Sequence, residues 1–258
     1  MLHFLCRSIH HLTSCLIFRT VWISIFVFSI FLNTACAQNL DVPYEPSPPA
    51  VVDAMLDLAL VDSTDYVIDL GSGDGRIVIA AAERGAVGHG VDLDPTRIRE
   101  ARSNARQAGM DNRVLFLQED LFETDFSQAS VVTMYLWPRV NIKLRSTLLD
   151  VLRPGTRVIS HSHDMNGWQP DSLRVVKETD GSSARIYLWI IPAQTDGKWT
   201  WTVGENAYTM DVSQEHQELS IQLNVDGNTY ETDNAFLRGN RITFTANVHG
   251  ANHLYSGK

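Results

Sequence analysis

From Pro49 the chain alternates two kinds of hydrophobic pattern. Apolar residues at Val51, Val52, Met55, Leu56 and Ala59 recur at helical spacing, so Pro49–Ala59 is predicted as a helix. Tyr66-Val-Ile-Asp-Leu70 is a short apolar run closed by glycines, the signal of a buried strand. A helix over Arg76–Glu83, a strand at His89–Leu93 and a helix over Pro95–Ala108 follow, the last with proline in its first turn and Gly109 at its end. Strands at Val114–Gln118, Ser130–Leu136 and Thr156–Ser160 and a helix over Val140–Leu152 complete the series. This alternation predicts an α/β fold, a Rossmann-like, mostly parallel sheet with helices on both faces.

After Ser160 the pattern changes. Ser172–Lys177 and Arg185–Pro192 are two strands joined through Thr179-Asp180-Gly181 with no helix between them, predicted as an antiparallel edge hairpin. Beyond Pro192 no helical period appears. Trp199–Val203, Ala207–Val212, Glu218–Val225, Ala235–Leu237 and Arg241–Val248 read as strands, with Asp226-Gly227 and Gly239-Asn240 between the later ones. Asp-Gly between alternating runs is a strong hairpin signal. The expectation is one domain over residues 38–195 and a small C-terminal antiparallel β region over 196–258. At roughly 60 residues that region is too short for an eight-stranded ligand barrel.

The first 37 residues differ in kind. They hold all three cysteines (Cys6, Cys15, Cys36), no acid, and as formal cations only Arg7 and Arg19. A 12-residue apolar run, Val21–Leu32, precedes Ala35-Cys36-Ala37. The run is short against the ~20 residues of a transmembrane helix. Basic flank, apolar core and small-x-small site predict a secretory signal peptide, residues 1–37, cut after Ala37. The expected location is exported, periplasmic. The alternatives are a membrane anchor through an uncleaved leader and a lipoprotein cut before Cys36, where Asn33 stands in place of the usual leucine. Cleavage after Ala37 leaves no cysteine, hence no disulfides and no thiolate chemistry.

The chain of 258 residues carries 21 basic and 30 acidic residues, a net charge of −9. Nucleic acid and anionic membranes repel such a chain, so neither is an expected general partner.

The candidate chemistry centres on Asp69-Leu-Gly-Ser-Gly-Asp-Gly-Arg76, between a strand and a helix. Glycines let the backbone turn sharply and approach a ligand closely. The dinucleotide fingerprint requires a third glycine where Arg76 stands, and there is no Gly-Lys-Ser/Thr of a P-loop. Asp69 and Asp74 would repel a diphosphate, by about 4 kcal/mol per close charge pair at an effective dielectric of 20. The same acids favour S-adenosylmethionine, which has no phosphate and carries a sulfonium and an ammonium. Asp92 closes the second strand, where a carboxylate can accept from both ribose hydroxyls. Asp120 follows the third, placed for an adenine amine. Asp94 is the expected N-cap of the helix that begins at Pro95.

These motifs resemble the class I S-adenosylmethionine-dependent methyltransferases over about residues 42–192. Asp69–Gly75 looks like their first motif, Gly90-Val-Asp92-Leu93-Asp94-Pro95 their second, and Glu119-Asp120-Leu121 their third. Pro43–Pro48, Asp69–Ile79 and Arg153–Ser160 resemble the lysine methyltransferases of the ATP-synthase c-subunit type and their exported bacterial relatives. The resemblance implies S-adenosyl-L-methionine as cofactor, held by Tyr44, Asp69, Gly71, Ser72, Gly73, Gly75, Asp92, Leu93, Asp120 and Leu121. Tyr44 would be a lid residue. The implied acceptor is a protein lysine or another amine. Where many members carry an acid-Pro-Pro-aromatic motif, this chain has Tyr135-Leu-Trp-Pro138, which speaks against base methylation.

Tyr135 and Trp137 offer ring faces to a cationic group, and His161, in His161-Ser-His163-Asp164, is placed to take a proton. Tyr135 and His161 are therefore the candidate catalytic residues. No third ligand accompanies the two histidines, so no metal is expected. The rival reading is an exported, non-catalytic binding module that retains the fold, since S-adenosylmethionine is made in the cytosol.

Overall fold

A computed structural model of the chain describes residues 44–178 and 181–258. The leader and its cleavage site, Pro43, Thr179 and Asp180 lie outside the described residues. Four helices are described: α1 (Pro49–Leu58), α2 (Arg76–Glu83), α3 (Pro95–Gln107) and α4 (Pro138–Val151). None is long and apolar enough to cross a membrane.

The first seven strands form one sheet: β1 (Tyr66–Leu70), β2 (Val87–Asp92), β3 (Val114–Gln118), β4 (Val131–Met134), β5 (Arg157–His161), β6 (Ser172–Lys177) and β7 (Ser183–Ile190). Their order is β3-β2-β1-β4-β5-β7-β6. The pairs among β1–β5 are all parallel, whereas β7 runs antiparallel to both β5 and β6. The edge hairpin therefore joins the sheet through its second strand, and β6 takes the edge.

The apolar runs of β1, β4 and β5 are buried because both sheet faces are covered. Ile68, Leu70, Val132, Met134, Val158, Trp168 and Trp189 pack with the inner residues of α4 on one side. Val67, Val131 and Ile159 pack with Val51, Val52, Met55 and Leu56 of α1 on the other. Phe116 sits with Val78 of α2 and Ile98 and Ala101 of α3 in a third cluster.

The remaining strands form a second sheet, an antiparallel meander in the order β13-β12-β11-β10-β9-β8. They are β8 (Gly197–Val203), β9 (Asn206–Glu215), β10 (Glu218–Val225), β11 (Asn228–Arg238), β12 (Arg241–Val248) and β13 (Ala251–Gly257). Asp226-Gly227 forms the expected two-residue hairpin, with φ of +50° and +85°. Met210, Val212, Ile221, Leu223, Val225, Phe244, Ala246 and Val248 form this sheet's own core. The sheet curls, as twisted sheets do, and brings Tyr208 of β9 within 6.3 Å, ring to ring, of Tyr255 on β13. Trp201 stacks on Tyr208 at 5.2 Å and Phe244 on Tyr255 at 4.8 Å, extending the aromatic seam.

The two sheets meet at the loop after β5. Trp168 Nε1–H donates to Gln217 Oε1 (2.7 Å), and Gln217 Nε2–H donates to the Gln169 carbonyl (2.6 Å). The carbonyl of Trp168 accepts from Trp189 Nε1–H of β7 (2.9 Å), so one residue bridges both cores.

Candidate active site

After β1 the chain turns into α2 through Gly71, Gly73 and Gly75, at φ of +80°, +52° and +82°. Only glycine enters that region at little cost. The amides of Gly71 and Ser72 donate to the Val91 carbonyl (2.9 and 2.8 Å), which ties the loop to the end of β2. A Cβ on Gly73 would come within 2.5 Å of the Tyr44 ring, and one on Gly71 within 2.8 Å of Leu136. A Cβ on Gly75 would strike Phe116 and Ala101 instead. Gly75 thus serves the packing of α2 and is not among the residues that line the cleft.

One cleft is lined by Tyr44, Asp69, Gly71, Ser72, Gly73, Asp92, Leu93, Asp120, Leu121 and Tyr135. Asp69 is buried and accepts from Thr133 Oγ1–H (2.6 Å). Burial, with Asp92 and Asp74 nearby, pushes its carboxyl up to about 7. Asp92 accepts from the Gly73 amide on one oxygen and the Asp94 amide on the other, each at 2.9 Å. Each oxygen keeps acceptor capacity for a ligand. Asp120 accepts from the Phe122 amide (2.9 Å). Asp94 caps α3 through the Thr96 amide, as its sequence position suggests. Among the described residues, no group of three His, Cys, Asp or Glu is arranged around a metal position.

A strap, Tyr44-Glu45-Pro46-Ser47, closes one side of the cleft. Arg76 holds it: the guanidinium pairs bidentately with Asp74 (2.9 and 2.6 Å) and donates to the Ser47 carbonyl (2.8 Å). Arg97 lies over the Tyr44 ring at 4.3 Å. Sequence reasoning used Arg76 only to exclude a dinucleotide, and missed Arg97, Glu45 and Ser47. The one local signal was the spacing of Arg97 three residues from the Asp94 cap, with which it pairs at 3.8 Å.

At the other end of the cleft Tyr135 leaves β4. Its ring lies 3.9 Å from that of His161. His161 is buried and shares a 2.8 Å hydrogen bond between Nδ1 and Ser47 Oγ. Burial, then His163, pushes its pKa down to about 4, so the ring is neutral at neutral pH. His161 stands behind Tyr135 and is not part of the cleft lining. Burial, followed by the charge of Glu45, pushes the Tyr135 hydroxyl up to about 12. Trp137 is 47% exposed beside Tyr135.

The family model described as the ANTKMT methyltransferase domain matches residues 69–172. A protein-lysine N-methyltransferase of Saccharolobus islandicus (strain REY15A) is 44% identical over 155 residues, 58% of this chain and 94% of the relative. The structure described as an RNA methyltransferase from Salinibacter ruber in complex with S-adenosyl-L-homocysteine superposes with a TM-score of 0.54 at 52% identity, over 58% of this chain and 96% of that one. The chain belongs to this family of class I S-adenosylmethionine-dependent methyltransferases. The lysine N-methyltransferase of the ATP synthase c-subunit from Xenopus laevis is 33% identical over 136 residues, 53% of this chain and 60% of that relative.

The methyltransferase cleft fits its cofactor. Ser72 Oγ is buried in the wall with no partner, an unmet polar group beside the glycine turns. Asp69, Asp92 and Asp120 are in no ion pair among the described residues, so their charge is free to meet a cationic ligand. The bound cofactor supplies an electrophilic methyl group, and the chain supplies alignment.

Proposed function

We propose that the protein methylates the side-chain amine of a protein lysine. The observation that carries this reading is the cleft itself, acidic at the cofactor end and walled by Glu45 and Tyr135 at the other. In this reading Asp69 faces the cationic end of the cofactor, Asp92 accepts from its ribose and Asp120 from its adenine amine. Gly71, Ser72 and Gly73 follow its backbone, Leu93 and Leu121 flank the base, and Tyr44 covers it. Tyr135 aligns the acceptor and excludes water, with His161 holding its ring.

An RNA acceptor is named for the Salinibacter ruber neighbour, and lysine for the Saccharolobus and Xenopus relatives. The net charge of −9 favours lysine, because an RNA backbone would be repelled where a basic protein is attracted. Incubation of the full chain with methyl-labelled S-adenosylmethionine, lysine-rich protein and RNA tests it. Label in methyl-lysine, abolished by Asp92→Asn, is expected. Label confined to RNA overturns the reading. Export through residues 1–37 is part of the proposal, and a mature N-terminus at Gln38 in periplasmic extracts is its expected mark.

A further inference from the structure

We infer that Glu45 is the specificity-determining anion of the acceptor end, the group that selects a cationic amine over a neutral nucleophile. The inference rests on the lysine reading for its biology, but its chemistry concerns any ammonium.

The strap is fixed on both sides of Glu45. Tyr44 is pinned between Gly73 and the Arg97 guanidinium. Ser47 is pinned by Arg76 through its carbonyl and by His161 through its hydroxyl. Pro46 and Pro48 restrict the backbone around these anchors. Glu45 is left on the surface and lines the cleft together with Tyr135.

The other acids of the cleft each have a partner within the chain, Glu119 accepting from the Thr124 hydroxyl at 3.4 Å. Asp74 pairs with Arg76 and Asp94 with Arg97. Asp92 and Asp120 take backbone amides, and Asp69 takes the Thr133 hydroxyl. Glu45 makes no ion pair among the described residues. A carboxylate and a tyrosine in one cleft wall are elements that bind an ammonium: charge, with the ring or the hydroxyl oxygen beside it. The Tyr135 ring is held by its tilted contact with His161 at 3.9 Å and its stack on His163 at 6.3 Å. A hydroxyl or sulfur nucleophile would gain nothing from the carboxylate.

The test compares wild type, Glu45→Gln and Glu45→Asp in the full chain. Butylammonium binding to the protein saturated with S-adenosyl-L-homocysteine is followed by NMR, and methylation of poly-L-lysine gives KM and kcat. Glu45→Gln is expected to weaken butylammonium and raise KM for poly-L-lysine by about 10-fold, a hydrogen bond to a charged group. Glu45→Asp should recover part of both. The wild-type KM should rise with salt more steeply than that of Glu45→Gln. S-adenosylmethionine affinity, measured by calorimetry, should be unchanged, which also reports that the variants fold. No butylammonium binding by wild type, or equal binding by Glu45→Gln, overturns the inference. So does a loss confined to S-adenosylmethionine affinity, which would assign Glu45 to the cofactor. Glu45-dependent butylammonium binding without methylation of poly-L-lysine would uphold the inference and sink the lysine reading instead.

Discussion

The two sheets gather their loops differently, and only one gathers chemistry. In the seven-stranded sheet β1 to β5 run parallel, so their C-terminal ends lie along one edge. Asp69, Asp92 and Asp120, from three separate strands, therefore reach one cleft. In the six-stranded meander each strand reverses its predecessor, and the connections alternate between opposite ends. The meander is not short of acids: Asp211, Glu218, Glu231 and Asp233 all stand in its strands. Strand direction, rather than the supply of carboxylates, decides where they can act together. Coverage differs too. The first sheet is buried on both faces, while the second encloses a core on one face of a curled layer.

The largest expected effect tests whether these are two cooperative units. Trp189 is fully buried in the first core, and its truncation to alanine should cost about 3–5 kcal/mol. That is a large share of the 5–15 kcal/mol that usually holds a domain together. Phe244→Ala should cost a similar amount within the second core. Urea unfolding with parallel cofactor titration should show Trp189→Ala losing binding-competent protein. Phe244→Ala should keep its S-adenosylmethionine affinity within about twofold, because neighbouring sites couple strongly and distant ones do not. Equal losses in both variants would merge the two sheets into one unit.

A smaller effect, about 30-fold, sharpens the chemical half of the comparison. With its carboxyl at about 7, Asp69 is largely protonated at pH 5.5 and ionised at pH 8. A cationic ligand binds the ionised form, so the apparent Kd should fall by that factor over this range, tenfold per unit below 7. Asp69→Asn should bind more weakly with a flat profile in calorimetry. The sign for stability is opposite. A carboxyl raised in the folded state favours folding while protonated, so its contribution declines as pH rises from about 4 to about 7. Asp69→Asn should accordingly melt higher than wild type at pH 8. A variant that melted lower would show that the Thr133 hydrogen bond, not the buried charge, dominates.

Much of this was legible along the chain, for physical reasons that also mark where legibility ends. Strands such as Tyr66–Leu70 and Val114–Gln118 stand out because burial demands apolar runs, and the acids stand out because they close those runs. The first half of β11, Asn228–Asp233, is polar and largely turned outward, and a register shift between Asp233 and Phe236 breaks its alternation. β13 is a mostly exposed edge strand with no apolar period. Its turn, His249-Gly250, has φ of +53° and +85°, close to those of Asp226-Gly227, but histidine is not the usual sign of that conformation. The strap was hidden by distance, since Ser47 meets His161 across 114 positions and Arg76 across 29. The packing role of Gly75 was hidden because a glycine reveals its freedom but not the neighbour that requires it.

The smallest expected effect probes one place where the two regions touch; the β11–β12 turn is another, where Gly239 accepts from the Ala193 amide. Gln217 stands in the turn between β9 and β10 and is buried, with its oxygen on Trp168 and its nitrogen on the Gln169 carbonyl. Gln217→Ala leaves the buried Trp168 N–H without a partner, which should cost about 1–2 kcal/mol. The loop it holds begins at Ser162 and runs from the acceptor end of the cleft toward β6. If the second sheet serves only to cover that loop, Gln217→Ala should lower the melting temperature and leave KM for poly-L-lysine unchanged. If it positions the acceptor end, KM should rise while cofactor affinity holds. Gln217→Glu separates the two further: its carboxylate can still accept from Trp168 but can no longer donate to the Gln169 carbonyl. A rise in KM in both variants at full cofactor affinity would make the meander a part of acceptor recognition, despite its lack of a gathered strand-end site of its own.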